Sequence, residues 1–125
     1  MRLEIAERQI GAVTILDLAG KLTIDQDAQR LKDKINSLIH QQHTKVVLNL
    51  GEVSYIDSGG LGQLVSSYGS LAKTNGGLKL LHVNKRNHDL LSITRLVTIF
   101  DTYDSESEAV KSFDSPSGSK APAAV

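Results

Sequence analysis

The sequence contains no cysteine and no tryptophan, only two prolines, and three tyrosines and two phenylalanines as its whole aromatic complement. Without cysteine there can be no disulfide, no thiolate metal site and no cysteine nucleophile, a composition that suits a reducing cytosol. Net charge is missing too: 14 Lys+Arg stand against 14 Asp+Glu, so the basic footprint of a nucleic-acid binder is absent. No run reaches the roughly 18 apolar residues that span a bilayer, and Met1 to Arg8 is charged throughout, unlike a signal peptide. What is present is one domain's length, 125 residues. A chain of that size can bury about two-thirds of its unfolded surface and hold one core without disulfides or metal. A cytoplasmic single-domain protein without a membrane segment is expected.

Hydropathy patterning gives the order of elements. Leu3 and Ile5 alternate with charged residues, and Val13 to Ala19 is rich in β-branched residues, which predicts a hairpin turning near Gly11. Asp25 can cap a helix whose Ala28, Leu31, Ile35, Leu38 and Ile39 share one face, ending near Gln41-Gln42. Lys45 to Leu50 is almost continuously apolar, as in a strand covered on both faces, and is expected at the sheet centre. A second helix is predicted from about Ser58 to Gly60, stopping at Asn75-Gly76-Gly77, residues suited to a left-handed cap. A strand at Leu78–Val83, a short helix within Lys85–Thr94, a last strand at Val97–Phe100 and a final helix opened by Asp104 or Ser105 complete the series. Ser105 to Glu108 fits a capping box. The domain is expected to span residues 2–113. From Asp114 on, the Ser-, Gly-, Pro- and Ala-rich segment has too little apolar surface to offset ordering, so a disordered tail is expected over 114–125. The resulting ββαβαβαβα order predicts an α/β fold: a mixed, mostly parallel sheet of about five strands covered by about four helices.

In such a fold, function gathers in loops at the C-terminal ends of strands, and the loop after Leu50 is the most distinctive. Gly60-Leu61-Gly62 meets the start of a dinucleotide fingerprint, but Val65 stands where Gly or Ala is required and no acidic ribose ligand follows about twenty residues on. Ser58 has a glycine two residues after it but not two before it, and none of His40, His43, His82 or His88 is placed beside it as a base, so a hydrolase elbow is not supported. His40 and His43 lack the carboxylate or thiolate spacing of a metal site. No catalytic residues, metal or cofactor are expected. What is left is a hydroxyl at a helix start, preceded by an acid and followed by two small residues. Asp57 or Ser58 caps the helix on this reading, and the same geometry would expose the hydroxyl to modification.

The run Tyr55-Ile56-Asp57-Ser58-Gly59-Gly60-Leu61-Gly62-Gln63-Leu64 resembles the signature of STAS domains, specifically the bacterial anti-sigma factor antagonists. The resemblance extends to Gly20-Lys21-Leu22, to Val46–Leu50 and to Asn75–Leu80, and covers about residues 2 to 113. It implies a non-enzymatic partner switch. The unphosphorylated antagonist would bind an anti-sigma factor that is also a serine kinase of the GHKL ATPase type, releasing the sigma factor; phosphorylation of Ser58 would abolish binding, and a PP2C-type phosphatase would reset it. The matching partner surface would be Asp57, Ser58, Gly59, Gly60, Gly62, Thr23 and Asp25, with the glycines permitting close approach. Two residues depart from the family pattern: Gly59 where Ser or Thr is common, and Thr23 where an acid is common, for which Asp25 and Asp27 are candidate replacements. The alternative within the fold is a ligand-sensing or scaffold module, in which Ser58 would be only a cap.

Overall fold

The computed structural model describes residues 3–24 and 26–114. Strands β1 (Glu4–Ile10), β2 (Val13–Leu22), β3 (Lys45–Ile56), β4 (Gly77–Leu81) and β5 (Asp101–Tyr103) form one sheet in that spatial order. The β1–β2 hairpin is antiparallel and β2 to β5 are parallel. Four helices connect and flank them: α1 (Gln26–His40), α2 (Ser58–Ala72), α3 (Lys85–Ile93) and α4 (Glu106–Lys111). The predicted order and the central place of β3 therefore hold.

Alternation along the strands decides the layers. Leu16 and Leu18 of β2, Val46, Leu48 and Leu50 of β3, and Leu78 and Leu80 of β4 face Leu31, Ile35 and Leu38 of α1, Leu61, Leu64 and Leu71 of α2, and Leu91 of α3. At roughly 1.5–3 kcal/mol for each buried leucine-sized side chain, this layer supplies most of the driving force for folding. The opposite face is thinner. Val13, Ile15, Val47 and Leu81 meet Ala109 of α4, with Tyr103, Val110 and Phe113 partly buried around them. Here charge helps: Arg8 of β1 donates to both carboxylate oxygens of Asp17 and to Glu106 of α4. The Arg8 guanidinium holds the Asp17 carboxyl below its usual range. Lys79 pairs with Asp101 of the neighbouring strand at 2.7 Å and lies 5.1 Å from the Phe113 ring centre.

Several boundaries differ from the sequence reading, for physical reasons. Val97–Phe100 is not a strand. Arg95 takes left-handed backbone, Leu96–Thr98 form a single 3-10 turn, and Phe100 is buried edge-on against Tyr68 with ring centres 5.4 Å apart. The edge strand is instead Asp101–Tyr103, polar because only one side of it pairs. β3 continues past Leu50 to Ile56, alongside Ala19–Leu22 of β2, beyond the reach of β4; its exposed residues there hide the strand pattern. β4 stops at Leu81, before the left-handed His82. After α2 the left-handed residue is Asn75, and Gly76 is glycine because a Cβ would lie 2.0 Å from the Thr44 carbonyl oxygen. Helix α4 starts as expected, with the Ser105 hydroxyl accepting the Glu108 amide at 3.3 Å. Asp114 ends a 3-10 turn begun at Ser112, and the remaining tail, like Asp25, lies outside the described residues.

Candidate functional site

Strands β2, β3 and β4 are parallel, so the loops leaving their C-terminal ends share one rim of the sheet, with the β3–α2 junction in the middle. That junction is a single residue, Asp57. Its backbone is extended and its side chain is the N-cap of α2: Oδ1 accepts the Gly60 amide at 2.8 Å. The second oxygen is used elsewhere, accepting the Ile24 amide of the β2–α1 loop at 3.1 Å. The Asp57 N–H donates to the Leu22 carbonyl at 3.1 Å, and its own carbonyl accepts the Leu61 N–H at 2.8 Å. One aspartate thus closes the first turn of α2 and fastens the neighbouring loop to it.

Because Asp57 is the cap, Ser58 is free of that duty. It is the first residue of α2, exposed, and its hydroxyl has no hydrogen-bond partner among the described residues. The first-turn amides around it have no intrahelical acceptor, and the helix dipole favours negative charge at this end. A serine so placed can accept a phosphoryl group without losing a bond that the fold needs.

The three glycines divide into two kinds by what an added Cβ would meet. A Cβ at Gly59 would sit 2.2 Å from the Cβ of Ile24, and one at Gly60 would sit 2.2 Å from the Leu22 carbonyl oxygen. Both spaces are filled by this chain itself, one by the β2–α1 loop at Ile24 and the other by the last residue of β2, Leu22. Only Gly62 faces open surface, with nothing within 4 Å of an added Cβ.

Thr23 is half-buried and its hydroxyl donates to Asp27 Oδ2 at 3.1 Å, while its carbonyl accepts the Ala28 amide. Asp27 is buried and its other oxygen accepts the Leu3 amide, so it supplies no surface charge in place of the acid missing at position 23. Asp25 is outside the described residues. His40 and His43 lie at the opposite end of the sheet, beside the start of β3, while His82 and His88 are exposed on the β4–α3 side. The residue that sequence patterning passed over is Ile24, exposed to 67% and resting on Gly59. Its only sequence signal was an apolar side chain that belongs to no helical or strand repeat. On the α3 side of the junction, Tyr55, Leu90 and Ile93 line a groove of about 240 Å³. The Arg86 guanidinium there lies 6.0 Å from the Tyr55 ring centre.

Comparison with known proteins agrees with this fold. The STAS domain family profile matches residues 4–109. The anti-sigma F factor antagonist of Paenibacillus polymyxa is 29% identical over 113 residues, covering 88% of this chain and 94% of that protein. The anti-sigma-B factor antagonist of Bacillus subtilis is 34% identical over 86 residues, covering 69% and 77%. A crystal structure from Thermotoga maritima, described as a candidate anti-sigma factor antagonist, superposes with a TM-score of 0.82 at 28% identity, covering 89% of this chain and 95% of that one. No helix among the described residues is long and apolar enough to cross a membrane. With that profile running through nearly all of a five-stranded mixed sheet, the chain belongs to the STAS domain family, among the anti-sigma factor antagonists.

Proposed function

We propose that this chain is a cytoplasmic partner switch controlled by phosphorylation of Ser58. Unphosphorylated, it binds an anti-sigma factor that is also a GHKL-type serine kinase and so releases the sigma factor; phosphorylated, it lets go until a PP2C-type phosphatase removes the group. The observation that carries this reading is the division of labour at the junction: Asp57 alone caps α2, leaving the Ser58 hydroxyl exposed and uncommitted. A phosphoryl group there adds about −1.5 to −2 charges next to Asp57. The helix N-terminus tolerates that charge, so the fold stays and the interface changes. A loss of about 3 kcal/mol at the interface weakens binding more than a hundredfold, sufficient for a switch.

The test uses the full chain and each purified anti-sigma serine kinase of its host. With ATP, intact mass and peptide mapping should show one phosphoryl group on Ser58. Without ATP, wild type should bind one kinase and Ser58→Asp should lose that binding. A Ser58→Asp protein that binds as well as wild type would sink the charge mechanism.

A further inference from the structure

We infer that Ile24 is a second contact for the same partner, an apolar knob entering an apolar pocket on the anti-sigma factor, and that residue 59 is glycine in order to seat it. This inference rests on the partner-switch reading of Ser58 and adds a residue that decides which partner fits.

Exposure alone does not set Ile24 apart, since single exposed apolar side chains are ordinary. Ile93 is more exposed, at 80%, and sits at the end of α3 with nothing built to hold it. Ile24 has a seat. Its amide is held by Asp57 Oδ2, and both residues before it are fixed: Leu22 through its carbonyl to the Asp57 amide, Thr23 through its hydroxyl to Asp27 and its carbonyl to Ala28. Underneath, the Gly59 position is so close that an added Cβ would lie 2.2 Å from the Ile24 Cβ and 2.8 Å from its Cα. The backbone, not just a flexible tip, occupies that space.

The chain therefore fixes an apolar side chain on solvent-facing surface, one residue along from the Ser58 hydroxyl, on the same carboxylate that caps the helix. A side chain whose backbone is held before binding spares the loop-ordering cost when a partner closes over it, which favours an anchor residue there. Its neighbourhood also explains the departure at position 59. A hydroxyl-bearing side chain there would need the volume that Ile24 fills, so this chain presents an isoleucine where a serine or threonine would otherwise project. The complementary partner face is apolar and water-excluding. A phosphoryl group arriving at the margin of such a face loses hydration when the partner closes, beyond what the helix N-terminus returns, which steepens the release.

The experiment is a calorimetric titration of the full chain into each purified anti-sigma serine kinase of the host, with melting temperatures taken alongside. Ile24→Ala should weaken the interaction about tenfold and Ile24→Lys about a hundredfold, with melting temperatures unmoved because the side chain is exposed. Gly59→Ser should weaken binding by displacing Ile24, yet cost little more when added to Ile24→Ala, since the apolar contact that the displacement would spoil is already gone. Ile24→Ala and Ile24→Lys proteins that bind within about twofold of wild type would overturn the inference and leave the Ser58 switch standing. Loss on Ile24→Lys with undiminished binding by Ser58→Asp would do the reverse, keeping the contact and removing the switch. Wild type that binds none of the kinases would overturn both.

Discussion

Helices α2 and α4 both begin with a serine near the turn, and the two serines do different work. At α4 the Ser105 hydroxyl is itself the cap, accepting the Glu108 amide. At α2 the cap is one residue earlier, and Ser58 follows it with its hydroxyl unspent. The same residue type, at neighbouring positions of the same kind of turn, is structural in one place and available in the other. Availability is decided by the residue in front: an aspartate with two acceptor oxygens closes the turn and still reaches across to Ile24. Helix α3 follows the α4 pattern, with Asn84 capping through the Asn87 amide at 2.8 Å.

The comparison can be broken most severely at the glycines that let α2 start where it does. Gly60→Ala forces a Cβ onto the Leu22 carbonyl and should cost about 3 kcal/mol in urea unfolding, the upper range for overpacking a tight site. Asp57→Ala orphans two amides together and should cost about 2 kcal/mol, whereas Ser105→Ala, which frees one, should cost about 1 kcal/mol. Gly62→Ala, two residues from the most damaging site, should stabilise by close to 1 kcal/mol, because the position is open and alanine is the better helix former.

Acid should separate the two helices further. Asp17 titrates below its usual range in the fold, chiefly because Arg8 donates to it, so its contribution is complete above the unfolded value near pH 4 and is lost as pH falls through the folded value. The network that ties α4 to the sheet should loosen below about pH 4 by less than 1 kcal/mol, the scale of partly exposed ion pairs. Hydrogen exchange should then rise in α4 before α2, and Arg8→Gln should remove the pH dependence. The smallest effect sharpens the contrast most. Ser58→Ala should change stability by under about 0.5 kcal/mol while removing the hydroxyl proposed to be phosphorylated.

The order of elements and the position of the junction could be read from residues alone, because both depend on local periodicity and local turn chemistry. The apolar stripe of α1 and the continuous run at Val46–Leu50 bury against the same layer, as their spacing requires. The strand misplaced at Val97–Phe100 fails for the opposite reason. Its apolar residues look like a strand, yet Phe100 packs on Tyr68 across a helix–loop contact that no local window contains. The second half of β3 was hidden because pairing with β2 alone leaves Ser54 and Tyr55 exposed. Within the site, Asp57 and Ser58 were legible as a pair but not in their separate roles, which depend on which oxygen meets the Gly60 amide. Ile24 was invisible because its significance comes from Gly59, 35 positions later in the chain.

That dependence has an evolutionary reading. Position 59 cannot gain a β-carbon while the backbone of residue 24 lies where it does, so a substitution at 59 must be answered by a shift of the loop, whereas the exposed side chain at 24 can vary above a glycine. In relatives of this chain, a residue other than glycine at 59 should come with a displaced loop after β2, while the side chain at 24 should vary where 59 stays glycine.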